Sequence, residues 1–300
     1  MARITNFLAQ RFFQNAPALE HYGELLSEYE RSGLAPPHLA MEFTSGDEGK
    51  LWACVWEAML YCHLTRLGFG VRGCVKKSGQ HGPDFGITHE RQTIWIEAVT
   101  PSPQGIPQDH LIRPKPGEVK LRITPHKEML LRWTSVLKDK HDKLERYLNE
   151  GVIAPTDCTI IAVNSCRLED MPINDLGISQ FPVPVELGFG IGPLVVPIAL
   201  GEEPASERTH SQLFTIRKPN GVDVRSGIFL DSRYANISAI IGCYRTDTAS
   251  GPLPLTLVHN PLATMPLAQT ILGARKEYIA YDKGDHYRVL RLTRVKRDEG

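Results

Sequence analysis

The chain has 300 residues, and its 34 lysines and arginines balance its 34 aspartates and glutamates, so its formal net charge is zero. Apolar residues at 42% and charged residues at 23% are typical of a globular protein and exclude a disordered chain. Neutrality also excludes binding to nucleic acid through overall positive charge, although it allows a local basic surface.

The sequence predicts a cytoplasmic protein that makes no contact with a membrane. Its six cysteines lack the spacing of zinc or redox motifs, and its N-terminus lacks the apolar run of a signal peptide. No stretch reaches the roughly 18 apolar residues that a membrane span needs. We therefore expect reduced thiols in the cytosol.

The first half of the chain is predicted to alternate helices with strands. Helices are expected near 5–14, 18–32, 47–67 and 135–149. Strands are expected near 69–77, 84–88, 93–99, 130–133 and 157–163. Segment 101–118 holds five prolines and is predicted to be a loop.

The second half is predicted to be rich in strands. They are expected near 193–199, 212–218, 235–243, 253–258, 276–281 and 286–294. No linker or repeat is recognisable, so we predict one elaborated α/β domain over 1–300. Its core would span 45–165, and 166–300 would add strands whose role the sequence does not indicate.

Two predicted elements carry a single acid each within an apolar run. Glu57 is the only charged residue between Leu51 and Cys62, and Glu97 is the only one in the strand from Ile94 to Val99. A buried carboxylate is costly unless it has a partner, so either acid is a candidate functional group. Alternatively, Glu57 lies on a narrow exposed stripe of its helix or pairs with a structural arginine.

A third acid, Asp84, follows Gly82-Pro83 at the start of the predicted hairpin. Antiparallel pairing of 84–88 with 93–99 can bring Asp84 close to Glu97. Two adjacent carboxylates repel each other unless a proton or a cation lies between them, and oxygen ligands suit Mg²⁺ or Mn²⁺. Taken alone, Asp84 is typical of a turn residue.

The order of these elements and acids resembles the PD-(D/E)XK nuclease superfamily, which has the restriction-endonuclease-like fold. The likeness runs from about Glu48 to Asn164. It implies a central mixed sheet flanked by helices, here with N-terminal helices and a β-rich C-terminal extension. By the same resemblance, Pro83-Asp84 and Glu97 match the motif acids, Glu57 matches a glutamate of the first helix, and the Ala98 carbonyl would be a metal ligand beside Asp84 and Glu97.

The chain departs from the motif at Val99, where the family has lysine. Family members also carry this lysine on the following helix. There, Lys140 falls on the apolar stripe between Leu137 and Leu144, and Lys143 lies one turn later. Lys140 and Lys143 are therefore candidate catalytic residues, although a lysine on such a stripe can also extend its ammonium group to solvent.

A local basic segment favours a polyanionic substrate. Residues 113–146 hold ten basic and five acidic side chains, a net charge of +5 in a neutral chain. The candidate nucleic-acid-binding residues are Lys120, Arg122, Arg132 and Lys138. The alternative is a solvated helix whose charges pair with one another at helical spacing.

Three functions are compatible with these patterns. The first is hydrolysis of nucleic acid, with DNA as the expected substrate, by a nuclease that uses Mg²⁺ or Mn²⁺. The second is a nucleic-acid-binding protein on the same fold with an inactive site, which Val99 would explain. The third is a structural or interaction protein whose buried acids are ion-paired. Cutting two strands would suit a homodimer, but no sequence pattern requires one.

Overall fold

The computed structural model describes residues 2–12, 15–74, 82–115, 117–169, 175–196, 209–246, 253–284 and 287–292. The helices are α1 (Ala2–Arg11), α2 (Ala16–Arg31), α3 (Leu39–Phe43), α4 (Glu48–Arg66), α5 (His126–Asn149) and α6 (Val183–Phe189). The strands of the first half are β1 (Phe85–His89), β2 (Gln92–Val99) and β3 (Cys158–Asn164). Those of the second half are β4 (Ile191–Val195), β5 (Thr209–Gln212), β6 (Thr215–Arg217), β7 (Asp223–Arg225), β8 (Ala239–Cys243), β9 (Thr256–His259), β10 (Lys276–Asp282) and β11 (Tyr287–Leu292).

A seven-stranded mixed sheet in the order β1-β2-β3-β8-β9-β10-β11 forms the centre of the molecule. The β1–β2 hairpin is antiparallel, while β2, β3 and β8 run parallel to one another. The parallel strands β3 and β8 are buried along their whole length, as expected for strands covered on both faces. The mixed α/β class expected from the sequence is therefore observed, and strands β8 to β11 of the predicted C-terminal extension continue the same sheet.

Helices cover both faces of the sheet. The alternation of β2 explains this, because Ile94 and Ile96 pack in the hydrophobic cluster that contains α1 to α4, whereas Trp95 packs in the cluster that contains α5 and α6. Helix α4 begins at an Asp47 cap, whose carboxylate accepts the N–H groups of Gly49 and Lys50. No helix among the described residues is long and apolar enough to cross a membrane.

Several predicted boundaries are wrong. Residues 130–133, expected as a strand, lie inside α5, which begins at His126 rather than near 135. One buried face of α5 contains Met129, Leu130, Trp133 and Leu137. This helical periodicity extends over more residues than the short apolar run 130–133, so the segment forms a helix and not a strand. Helix α6 was not predicted, since seven residues carry little periodic signal.

The first strand expected in the nuclease-like core is only partly described. Residues 75–77 of the expected strand 69–77 lie outside the described residues, and within 69–74 a single antiparallel bridge joins Arg72 to Gly86 of β1. In the second half, the expected strand 212–218 is divided between β5 and β6, which belong to two small hairpins beside the main sheet.

The close contact between Gly86 and its cross-strand partner Trp95 gives a first test of the fold. A Cβ atom at Gly86 would lie 2.5 Å from Cζ3 of Trp95, whose ring also stacks under Arg72. We expect Gly86→Ala to lower the free energy of unfolding by about 1–3 kcal/mol, measured by denaturant titration. As the control, Gly23→Ala in α2 meets no atom within 4 Å and should stabilise the helix by about 1 kcal/mol. Equal effects of the two substitutions would contradict this packing.

Candidate active site

The β1–β2 hairpin places two carboxylates side by side. Phe85 pairs with Ile96, so one further step of the same register sets Asp84 opposite Glu97. Asp84 is fixed there because its Oδ2 accepts the backbone N–H of Ala98 at 2.7 Å. Residues that face each other across antiparallel strands have Cβ atoms about 5 Å apart, so the two acids share one local environment.

Glu97 is fully buried, and its two carboxylate oxygens have different surroundings. Oε2 accepts hydrogen bonds from the ammonium groups of Lys140 at 2.6 Å and of Lys143 at 2.9 Å. Oε1 is buried as well, but it has no hydrogen-bond partner among the described residues. A buried oxygen in that position costs free energy unless a proton or a cation satisfies it.

Both candidate lysines come from α5, which packs on the sheet face toward which Glu97 points. The side chain of Lys140 is 17% exposed and that of Lys143 is 29% exposed, so both are largely enclosed. The buried neighbours Leu137 and Leu144 hold this face of α5 against the sheet. The ammonium groups thus reach the acid from the helix, as the sequence predicts, rather than from position 99.

Glu57 reaches the same cluster from α4. It is half-buried, and the hydroxyl group of Tyr29 donates a hydrogen bond to its Oε2 at 3.2 Å. Burial, followed by the negative charge of Asp84, raises the pKa of Glu57 to about 8, although the Tyr29 hydrogen bond acts in the opposite direction. Glu57 is therefore part of the acid cluster and not a solvated surface residue.

The pKa of Asp84 is raised to about 6, first by burial and second by the charge of Glu97. Lys140 and Lys143 lower the same pKa, so the rise is what remains after their attraction. Three carboxylates face two ammonium groups, and the cluster carries excess negative charge when all three acids are ionised. Such a cluster can be neutralised by a proton near neutral pH or by a metal cation.

The residues present fit a divalent cation with oxygen ligands. Asp84 and Oε1 of Glu97, which no described residue satisfies, supply carboxylate oxygens. The N–H of Ala98 points to Asp84, and since the N–H and C=O of one strand residue point to the same side, its carbonyl faces that side too. These are the three ligands that the sequence resemblance implies.

The four candidate nucleic-acid-binding residues do not form one surface. Lys120 and Arg122 line a pocket of about 410 Å³, and the Arg122 guanidinium also donates to the Ile112 carbonyl. Arg132 donates to the Ser102 carbonyl, and the exposed Lys138 pairs with Asp142 at 2.5 Å. The hydrogen bond to Asp142 raises the pKa of Lys138.

A second group of possible metal ligands lies on the outer side of α5. Ligand atoms of His141, Asp142 and Glu145 lie within 4.8 Å of one another. However, Asp142 is already paired with Lys138, and Nε2 of His141 is hydrogen-bonded to the Arg233 carbonyl. Ordinary helical spacing and these contacts account for the group, which therefore fits a metal less well than the buried acids do.

Sequence reasoning missed Tyr29 and the indole N–H of Trp133. Tyr29 belongs to α2, and only the packing of α2 on α4 brings it to Glu57. Trp133 is 2% exposed, and its Nε1 has no hydrogen-bond partner in the part of the chain that the structure describes. Neither residue lies in a motif, so no local signal could have identified it.

Comparison of the chain with protein-family models, curated proteins and solved structures finds no match. The geometry of the acid cluster is therefore the basis on which a function can be proposed.

The raised pKa values predict a pH-dependent stability. An acid whose pKa is higher in the folded than in the unfolded state stabilises the fold at low pH, and this contribution is lost as pH rises through the folded pKa. In the absence of metal, the free energy of unfolding should therefore fall between about pH 4 and pH 8, by at most about 1.4 kcal/mol per pH unit for each proton involved. Denaturant titration across this range measures the fall.

Glu57→Gln should flatten the upper part of this profile, because the pKa of Glu57 is about 8. Glu24→Gln, at an exposed position of α2, is the control and should leave the profile unchanged. A profile of Glu57→Gln that superimposes on the wild type would contradict the assignment.

Proposed function

We propose that the chain is a divalent-metal-dependent nuclease of the PD-(D/E)XK type that hydrolyses phosphodiester bonds, with DNA as its substrate. The observation that carries the proposal is the convergence of Lys140 and Lys143 on Oε2 of Glu97, at 2.6 and 2.9 Å, beside Asp84. A nuclease site of this type needs a cation-binding acid pair and an ammonium group, and α5 supplies the ammonium group that position 99 lacks.

The element order supports a restriction-endonuclease-like core. Helix α4, the bridge at Arg72, the β1–β2 hairpin, α5 and β3 follow one another as the resemblance implies. Pairing also fits, because β1 is antiparallel to β2 and β2 is parallel to β3. The core would thus be the β1–β3 part of the larger sheet.

Each residue of the cluster then has a role that its position allows. Asp84, Glu97 and the Ala98 carbonyl would hold Mg²⁺ or Mn²⁺, which when bound lowers the pKa of water and stabilises charge on the phosphate. Lys140 orients the attacking water or offsets the negative charge that develops on the phosphate, and Lys143 holds the Glu97 carboxylate in position through its hydrogen bond to Oε2. Glu57, with a pKa of about 8, can accept a proton from water once the pH is above that value.

DNA as a substrate, a cytoplasmic location and a homodimer are parts of the same proposal. The basic segment 113–146 supplies positive charge for phosphate contacts. All six cysteines are free, which fits a reducing compartment. A second copy of the chain would allow both strands of a duplex to be cut.

The second candidate is a protein whose buried acids serve structure alone, and the ion pairs of Glu97 with two lysines favour it. Pairing does not neutralise the cluster, however, because Glu57 and Asp84 add two further carboxylates whose pKa values are raised. A nucleic-acid-binding protein with the same cluster but no cleavage is a third outcome that the experiments below distinguish.

Cleavage of DNA tests the proposal directly. Supercoiled, linear and single-stranded DNA would be incubated with Mg²⁺ or Mn²⁺ above the pKa of Glu57, and products followed on gels. We expect metal-dependent cleavage that Glu97→Gln or Lys140→Ala lowers by at least about 100-fold, since both remove groups near the reacting phosphate. Lys218→Ala, in the exposed turn after β6, is the control and should cleave like the wild type.

Wild-type activity in Glu97→Gln and Lys140→Ala would refute the site. Tight, metal-stimulated DNA binding without any cleavage would instead favour the inactive binding protein.

Binding of the cation can be measured separately from activity. Mn²⁺ at about 100 times its dissociation constant should raise the free energy of unfolding by about 2.7 kcal/mol. Asp84→Asn and Glu97→Gln should lose this increase, whereas Asp142→Asn, in the outer group on α5, should retain it. The increase should also grow with pH, because protons and Mn²⁺ compete for the same carboxylates. If Asp142→Asn alone lost this increase in the free energy of unfolding, the outer group on α5 would be the metal site instead of the acid cluster.

A further inference from the structure

The pocket of about 410 Å³ lies beyond the C-terminal ends of β3 and β8, where Ser165 and Tyr244 contribute to its lining. The crevice outside the carboxyl ends of parallel strands is the usual ligand position in open α/β sheets. Its volume lies within the range of about 300–1,000 Å³ that is typical of sites for small organic groups. The lining mixes apolar and polar groups, as such sites require.

Trp133 lines the pocket and carries a buried hydrogen-bond donor. Its ring lines the pocket, its side chain is 2% exposed, and its Nε1 has no acceptor among the described residues. An indole N–H can only donate, and a buried donor without an acceptor costs free energy. A ligand with a carbonyl oxygen or a ring nitrogen would satisfy it.

The outer lining combines positive charge with an exposed apolar side chain. Lys120 and Arg122 flank Leu121, whose side chain is fully exposed although it lines the pocket. Asp175 and Glu169 also line the pocket, and the two oxygens of Asp175 are bound by Thr256 and Lys276, so the negative charge of Asp175 is offset. Apolar surface beside basic groups suits a nucleobase that carries phosphates on either side.

The pocket and the acid cluster share one side of α5. Trp133 and Lys140 are seven residues apart, so they lie on nearly the same helical face. The rise of a helix separates them by about 10 Å. At about 3.4 Å per nucleotide, that distance corresponds to about three nucleotides along a strand.

We propose that this pocket binds one unstacked nucleobase of the substrate strand, about three nucleotides from the phosphate at the acid cluster. The base lies between Leu121 and Trp133 and accepts the Trp133 N–H, while Lys120 and Arg122 contact the neighbouring phosphates. This inference rests on the proposed function, and it names the part of the substrate that the chain holds: a single-stranded or locally opened stretch.

An abasic scan tests the proposal. Short single-stranded DNA oligonucleotides, each with one abasic nucleotide at a different position, would be titrated with the full chain, with Ca²⁺ in place of Mg²⁺ to avoid cleavage. Fluorescence anisotropy gives each dissociation constant. We expect one position to weaken binding by about tenfold, since stacking of one base has an effect of that order. Equal binding of all abasic oligonucleotides would overturn the proposal.

Two variants on one exposed segment provide a matched comparison. Leu121 and Val119 are 100% and 97% exposed, so replacing either should leave folding unchanged, but only Leu121 lines the pocket. Leu121→Ala should weaken binding of the intact oligonucleotide several-fold and remove the protein's preference for the intact over the abasic oligonucleotide. Val119→Ala should have neither effect. Trp133→Phe keeps an aromatic ring, removes the N–H and should reduce the same preference. Equal behaviour of Leu121→Ala and Val119→Ala would overturn the proposal.

Two further results separate this proposal from the nuclease proposal. An abasic effect without any cleavage would support the pocket and refute the nuclease, whereas cleavage without an abasic effect would refute the pocket alone.

Competition by deoxynucleoside monophosphates distinguishes a strand from a free nucleotide. We expect them to compete weakly, and competition as strong as that of the oligonucleotide would overturn the strand-binding proposal.

Discussion

The buried carboxylate of Glu97, held by two lysines, is the interaction on which the candidate site depends. It joins β2 to α5 across the interior, because the acid comes from the sheet and both ammonium groups come from the helix. Removal of one partner from a buried ion pair commonly costs about 3–5 kcal/mol, since the remaining charge is left uncompensated. The relative position of the two layers is therefore coupled to the charge state of the cluster.

The other two carboxylates of the cluster, those of Asp84 and Glu57, are not balanced by this ion pair. Asp84 immediately precedes β1, and Glu57 lies on α4. Burial raises the pKa of each, and the charge of Glu97 adds to the rise at Asp84, while the charge of Asp84 adds to the rise at Glu57. A cluster that served stability alone would gain from fewer acids, because desolvated like charges oppose folding. Oε1 of Glu97, which has no hydrogen-bond partner in the described part of the chain, indicates where additional positive charge would be favourable.

Local patterns predicted which of these side chains lie close together better than they predicted the whole sheet. The two-residue alternation of β2 and the turn before it were enough to place Asp84 beside Glu97, and the apolar stripe of α5 was enough to direct Lys140 inward. The positions of Tyr29 and Trp133 depend on packing between elements that are distant in sequence. A short stretch of sequence carries no information about such packing. The same reason explains why the order of β8 to β11 in the sheet was not predicted, and why the short run 130–133 was mistaken for a strand.

We propose that the carboxylates of Glu97 and Asp84 form the cation site of this chain. Cleavage of the polypeptide by hydroxyl radicals from bound Fe²⁺, which accepts similar oxygen ligands, locates such a site directly. With ascorbate and peroxide, we expect fragments that end near Asp84 and Glu97, with excess Mg²⁺ suppressing them and Asp84→Asn abolishing them. Fragments that end only near His141 to Glu145, or cleavage without preferred positions, would contradict the account.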